Sequence, residues 1–473
     1  MGGFSLGEKI VLVNPAYSDS SRMIKKSAWI AMPLGLLYLA ATLETKGHYV
    51  KIIDMEASRL TNLDIKTIIE KENPSFVGIT ATTPMIKKAL ELSRIVKETN
   101  KGIKVLLGGP HPTNMPAETI DNEAVDIVVS GEGEITICEI IDALSRGNGV
   151  LDCIKGIYFK KNGKIVFTGE REPIPNLDIL PFPAWHLIDM SVYRHPLSRS
   201  ETFASVLTSR GCPSRCTFCS RGVFAHNYRK RSARNVLDEM QILIKKYNIK
   251  EVHFIDDTLT LDRSHIEEIC HEIINRGWNL KWVTPNGVNI NTLDYNLLNL
   301  MKEAGCYSLS FGVESGNQET LDYIKKHQSL KKIKEVFNIC HKIRLETVAF
   351  IIIGFPNEDR IKINQTLKFL KEIKADVADI HMLIPLPGTE LYDELNAKGY
   401  IMERDWSKYV FHNLPVYRTD YFSPEEIFNE YKRIYSAYHL RPTYFFSRLK
   451  HIKSLRDIKN NINGFMTLLT MKN

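Results

Sequence analysis

The chain has 473 residues, 44% hydrophobic and 25% charged, which is enough to bury a sizeable core and more than one domain usually holds. The longest uncharged stretch, Ser27 to Leu43, is broken by Pro33 and Gly35 and falls short of the roughly 20 apolar residues of a membrane span; no signal-peptide pattern precedes it. The formal charge of +7 is modest and gathers at the end of the chain, where Lys432, Arg433, Arg441, Arg448, Lys450, Lys453, Arg456, Lys459 and Lys472 face only Glu425, Glu426, Glu430 and Asp457, so no nucleic-acid partner is expected.

From Lys9 to Arg146 short β-branched runs alternate with helical patterns, the signature of a parallel α/β fold. Five strands are expected at Ile10–Val13, Val50–Ile53, Phe76–Thr80, Lys104–Leu107 and Ile127–Val129. Ligands of open parallel sheets sit beyond the carboxyl ends of the strands. The residues there are Asn14, Asp54, Thr80 and Thr82, Gly108-Gly109-Pro110-His111, and Gly131-Glu132-Gly133-Glu134. Small residues and glycines let the backbone approach a large flat or elongated ligand. Between residues 147 and 200 the pattern is irregular: an Asn162-Gly163 turn predicts a hairpin, and a proline-rich strip leads to Trp185.

A second alternation begins at Phe203 and runs to about Leu395. Its six expected strands are Val206–Thr208, Val252–Ile255, Lys281–Val283, Ser308–Phe311, Val348–Ile353 and Asp379–Leu383. Six units are too few for a closed eight-stranded barrel, so a partial (β/α)6 barrel is predicted, with its chemistry at the carboxyl ends of the strands. Directly after the first strand comes Cys212-Pro-Ser-Arg-Cys216-Thr-Phe-Cys219. Three thiolates so close together serve a metal. A structural zinc site needs four protein ligands and no fourth is nearby, whereas an iron–sulfur cluster held by three cysteines keeps one iron open. The other cysteines, Cys138, Cys153, Cys270, Cys306 and Cys340, show no disulfide framework, and a reducing cytoplasm is the expected location.

The Cys212–Cys219 spacing, with Phe218 before the last cysteine, resembles the cluster loop of radical S-adenosylmethionine (radical SAM) enzymes. The first third, with Pro33-Leu34-Gly35-Leu36-Leu37-Tyr38, Lys46-Gly47-His48, Gly108-Gly109-Pro110-His111-Pro112-Thr113 and Gly131-Glu132-Gly133-Glu134, is similar to the cobalamin-binding domain that precedes many of them. Together these resemblances imply a flavodoxin-like cobalamin-binding domain over 1–146, a connector over 147–200, a radical SAM domain over 201–395 and a helical region over 396–473 that covers the substrate site. They imply a 4Fe-4S cluster on Cys212, Cys216 and Cys219. Asp256 or Asp257 would receive the methionine amino group of S-adenosylmethionine, Glu314 and Ser315 its ribose or carboxylate, and Gly354 would pack against adenine. Cobalamin would meet Asn14, Thr80, Thr82, Gly108, Gly109, His111, Gly131, Glu132 and Gly133. No Asp-x-His-x-x-Gly stretch follows the first strand, so the histidine that ligates cobalt in cobalamin mutases and methionine synthase has no counterpart.

The activity implied is methylation of an unactivated carbon of an apolar or cofactor-like small molecule through a 5'-deoxyadenosyl radical and methylcobalamin. Oxidative ring formation, as in the anaerobic magnesium-protoporphyrin ester cyclases, is the alternative. A third reading keeps the radical chemistry but gives the first domain only a docking role. Ferredoxin or flavodoxin is the expected reductant. The tail, dense in aromatics from Tyr421 to Phe446, is expected to pack on the barrel or lid an apolar substrate, and its basic residues to meet carboxylates or, peripherally, a lipid surface.

Overall fold

The computed structural model describes residues 7–17, 29–145, 149–196, 198–411, 413–442 and 444. The tail residues Thr443, Phe445 and Phe446 and the basic residues from Arg448 onward lie outside the described residues.

In β1 (Lys9–Asn14), Ile10 and Leu12 enter one apolar cluster and Val11 and Val13 another, because both faces of a parallel strand are covered by helices. β2 (Tyr49–Asp54), β3 (Phe76–Thr80), β4 (Lys104–Gly108) and β5 (Ile127–Val129) complete a parallel array in the order β2-β1-β3-β4-β5. The predicted hairpin, β6 (Ile157–Lys161) and β7 (Lys164–Phe167), pairs antiparallel with β5 and so extends this sheet.

The second sheet contains β8 (Ala204–Val206), then, after the short antiparallel ribbon β9 (Ser209–Arg210) and β10 (Arg229–Lys230), β11 (Glu251–Phe254), β12 (Lys281–Val288), β13 (Cys306–Glu314), β14 (Glu346–Ile353) and β15 (Val377–Met382). These six strands run parallel in the order β8-β11-β12-β13-β14-β15, and among the described residues β8 and β15 remain unpaired edges, as a partial barrel requires. The helices between them start where the chain supplies a side-chain oxygen. Ser232, Asp262, Asp294, Ser329 and Asp359 each accept the N–H three residues on and cap the helices Ala233–Tyr247, Arg263–Asn275, Tyr295–Glu303, Leu330–Ile343 and Arg360–Ile373. Such a cap contributes about 1 kcal/mol. Ala349, Ile351 and Ile353 point into the helix layer, so Phe350 and Ile352, with their register partners Asp379 and His381, face the barrel interior.

One apolar cluster runs without interruption from the first domain through Trp185 and Tyr193 into the barrel. The C-terminal region adds a strap before its helix. Trp406 Nε1 donates to Glu118 at 2.7 Å and Lys87 pairs with Asp405 at 2.7 Å, both onto the first domain, while Tyr417 Oη donates to the Gly354 carbonyl at 2.7 Å on the barrel. The helix Pro424–His439, opened by a Ser423/Glu426 capping box, packs on the barrel and buries Tyr431 and Tyr438. Among the described residues no helix is long and apolar enough to cross a membrane.

Candidate active site

The cysteine loop is closed at its neck. Arg229 pairs with Arg210 across β9 and β10, so residues 211–228 form one hairpin loop. Gly211 begins it at φ +82°, where any Cβ would strike the Asn227 carbonyl. Asp256, fully buried at the end of β11, accepts hydrogen bonds from the Thr208 N–H (3.0 Å), Thr208 Oγ1 (2.7 Å) and Ser209 Oγ (2.6 Å). Its carboxylate is thus committed to shaping the entry to the loop. Asp257 accepts one N–H, from Gly211 at 3.2 Å, and its side chain reaches solvent inside the mouth. Burial raises its pKa, against the Gly211 N–H and Arg221.

Cys212 and Cys216 are half-buried and Cys219 is accessible. Burial pushes the Cys216 and Cys219 thiols up, and Lys326 and Arg221 oppose it. Arg221 also donates to the Cys212 carbonyl. Among the described residues no donor set closes around a single ion. Sulfurs that each meet a different corner of a cluster have no need to converge, and cations beside them suit an anionic cluster.

Opposite the loop, Glu314 ends β13 in the left-handed region, φ 61°, at a register shift against β14. A non-glycine residue there costs of order 1–3 kcal/mol and persists only where its surroundings enforce it. The enforcement is an ion pair to Lys326 at 2.7 Å, with the Glu314 side chain 7% and the Lys326 side chain 16% exposed. Both groups fold over Gly312, where a Cβ would collide with them. Burial works against the Lys326 ammonium, but Glu314 and the Cys216 sulfur hold its pKa above the usual lysine value.

The next two expected residues belong to a buried support. Ser315 Oγ lies 3.0 Å from Thr366 Oγ1 and donates to Glu358 at 3.3 Å, and Glu358 accepts the Gly354 and Phe355 N–H groups at 3.0 and 3.1 Å. Burial raises the Glu358 carboxyl to about 7. Gly354, at φ +95°, has Tyr417 and Ile427 where a side chain would stand, so that side of its backbone is covered by the strap rather than open to a ligand.

In the first domain, Asn14 hydrogen-bonds Asp54. Gly109, at φ +97°, would place a Cβ 2.7 Å from Thr80 Oγ1, and the Gly131 N–H donates to Thr113 Oγ1 at 3.1 Å. Among the described residues, two buried polar atoms at adjacent strand ends have no hydrogen-bond partner: Thr82 Oγ1 and His111 Nε2. Burial lowers the His111 pKa to about 4 and keeps the ring neutral. Orphaned polar atoms at a glycine-lined strand end fit a large polar-rimmed ligand. Glu132 differs from its expected role, since both its oxygens are taken by Arg210 and Arg229.

The two mouths meet at Asn114, whose Nδ2 donates to Ser220 Oγ at 2.8 Å, one residue after the last loop cysteine. Gly222 and Gly388 lack side chains where Asn114 enters. Within the barrel, His381 Nε2 lies 2.8 Å from Asp379, and the imidazole packs on Phe411 of the strap. Neither Asn114, Lys326 nor the Asp379–His381 pair stands out by residue pattern; only the strand register around them carries a signal.

The B12 binding domain family matches residues 23–141, and the Radical SAM superfamily matches residues 206–370. An uncharacterized methyltransferase of Pyrococcus horikoshii is 36% identical over 436 residues, covering 92% of this chain and 93% of its own. The anaerobic magnesium-protoporphyrin IX monomethyl ester cyclase of Rubrivivax gelatinosus is 29% identical over 91% of this chain and 76% of its own. The solved radical S-adenosylmethionine methyltransferase TsrM of Kitasatospora setae, with cobalamin and a [4Fe-4S] cluster bound, has the same fold at a TM-score of 0.71, with 18% identity over 92% of this chain and 90% of its own. The protein is a radical SAM enzyme whose cofactors are a 4Fe-4S cluster, S-adenosylmethionine and cobalamin. The chain belongs to the cobalamin-binding radical SAM enzyme family.

Proposed function

We propose that the protein methylates an unactivated carbon of an apolar or cofactor-like small molecule held between the two mouths. The observation that supports this reading is the Asn114–Ser220 contact, which sets the strand ends of the first domain directly beside the cysteine loop. Cys212, Cys216 and Cys219 would hold the cluster; Asp257 and the Glu314–Lys326 pair would line the methionine end of S-adenosylmethionine. Thr82 and His111, with the backbone at Gly108, Gly109, Gly131 and Gly133, would line the corrin. Bound there, the cluster with S-adenosylmethionine would supply one-electron radical chemistry for hydrogen abstraction, and cobalamin would supply the methyl group. Phe350, Ile352 and Phe411 offer the substrate apolar walls, and the Asp379–His381 pair one polar point.

The same reading assigns residues 1–146 to cobalamin, 201–395 to radical generation and the region after 396 to covering the substrate. It takes ferredoxin or flavodoxin as the electron source, a cytoplasmic location, and the basic tail as the part that meets substrate carboxylates or a lipid surface. Ring formation is the second reading, supported by the cyclase relative, which aligns along nearly the whole chain.

Anaerobic reconstitution with iron, sulfide and hydroxocobalamin tests both. The expected result is corrin retained through gel filtration and 5'-deoxyadenosine formed on reduction with S-adenosylmethionine. Loss of corrin would overturn the cobalamin assignment and leave the first domain a docking module. Methyl-labelled S-adenosylmethionine, supplied with metabolites from a deletion strain, separates the two reactions: label in the product marks methylation, and a dehydrogenated, unlabelled product marks ring closure.

A further inference from the structure

The neck of the cysteine loop is bolted to the first domain by buried charge. Arg210 donates to Glu132 Oε1 at 2.8 Å and to Glu134 at 2.6 Å, and Arg229 donates to Glu132 Oε2 at 2.8 Å. The Ile174 N–H completes Glu132 at 2.7 Å. Side-chain exposure is 3% for Glu132, 6% for Glu134, 4% for Arg210 and 10% for Arg229. The Arg210 guanidinium also lies over the rings of Tyr38, from the first domain, and Phe224, from the loop, at 5.1 Å each.

Stability alone does not account for such a cluster. Removing four charges from water is costly, and well-packed apolar residues of similar volume often stabilise a fold as well or better. What the network supplies is geometry: the planar Arg210 guanidinium spans Glu132 and Glu134 while Arg229 takes the other oxygen of Glu132, a directional arrangement that a packed apolar cluster lacks. Arg210 and Arg229 are opposite partners of the ribbon that bounds residues 211–228, which carry all three loop cysteines. Glu132 lies between Gly131 and Gly133, at the strand end that borders the first mouth.

We infer that Glu132, gripped by Arg210 and Arg229, is a positioning residue that sets the cysteine loop at a fixed distance and angle to the first domain's mouth. The inference rests on the assignment of those mouths to the cluster and cobalamin. Asp256 and Asp257 still tie Thr208, Ser209 and Gly211 to the barrel when the clamp is loosened, so cleavage of S-adenosylmethionine between loop and barrel survives, whereas transfer between the mouths does not, since a displacement of about 1 Å can cost 10²-fold in rate.

The variants are Glu132→Gln, which keeps the shape and loses the charge, and Arg229→Lys, which keeps the charge and loses the fork. Hydrogen exchange of the full chain without cofactors should show peptides within 211–228 exchanging about tenfold faster, with β13 and β14 unchanged. In the reconstituted enzyme, 5'-deoxyadenosine formation should stay within about threefold of the native rate. Methylation of added hydroxocobalamin by S-adenosylmethionine under reductant, read from the corrin absorbance, should fall tenfold or more, and Glu132→Asp should recover part of it. Unchanged loop exchange in both variants, or equal loss of the two rates, overturns the inference. A native enzyme that retains no corrin overturns the functional reading instead and leaves the exchange result to decide the clamp on its own.

Discussion

The two mouths are built from the same strand-end positions of parallel sheets but differ in charge. The first is glycine-lined, and beside it buried His111 is held uncharged, with Thr82 Oγ1 and His111 Nε2 lacking a hydrogen-bond partner among the described residues. The second is crowded with Arg221, Lys326, Glu314 and Asp257 around three thiols. A neutral floor suits a broad ligand gripped by shape and backbone, and a charged ring suits an anionic cluster with a zwitterionic ligand. The contrast also shows in how each glycine is used. Gly109 admits the backbone of its own domain, whereas Gly312 makes room for a folded-back ion pair.

Five substitutions, one of them made only in a double variant, probe this contrast. Cys216→Ala should abolish 5'-deoxyadenosine formation, by a factor of 10³ or more, and lower iron and sulfide content while corrin retention is unchanged. Corrin lost with the cluster would show that the mouths are one cooperative unit. Glu314→Gln leaves a largely buried ammonium without its partner and should cost about 3 kcal/mol in chemical denaturation. The double variant with Lys326→Gln should regain most of that stability but not binding of S-adenosylmethionine by equilibrium dialysis. Recovery of both would make the pair purely structural.

Glu358 gives a pH effect. Its folded pKa, about 7, lies above the ordinary carboxyl value, so between pH 4.5 and 7 the native state holds a proton that the unfolded chain releases. Stability from this group is therefore fully present below pH 4.5 and is lost as pH rises towards 7, on the order of 3 kcal/mol in all. Glu358→Gln should flatten that slope in melting temperatures measured across the interval; an unchanged slope would refute the assignment. Gly109→Ala, at φ +97° and against Thr80, should cost about 1–3 kcal/mol and weaken corrin retention without changing 5'-deoxyadenosine formation in the cobalamin-free enzyme.

Much of the architecture was legible because it is written locally. Alternating β-branched and helical runs placed the five parallel strands of the first sheet and five of the six barrel strands, the first barrel strand lying at Ala204–Val206 rather than Val206–Thr208, and three cysteines within eight residues need no tertiary information to be seen as a metal loop. The strap over Gly354 and Glu118 was not legible: Trp406 and Tyr417 stand in an irregular stretch with no period to read. Asp256 and Asp257 are chemically identical neighbours at one strand end, and only the direction of each side chain separates a loop anchor from a group facing the mouth.

By itself, the amino-acid sequence determined that two parallel strand–helix arrays follow one another and that a cysteine loop opens the second, because hydrophobic period and ligand spacing are properties of neighbours along the chain. The tertiary structure decided which charges meet. Arg210 and Glu132 are 78 residues apart, Asn114 and Ser220 are 106, and Trp406 and Glu118 are 288. Contacts across such separations arise from how the elements pack, so Glu132, expected among the cobalamin contacts, stands instead in the clamp at the neck of the cysteine loop.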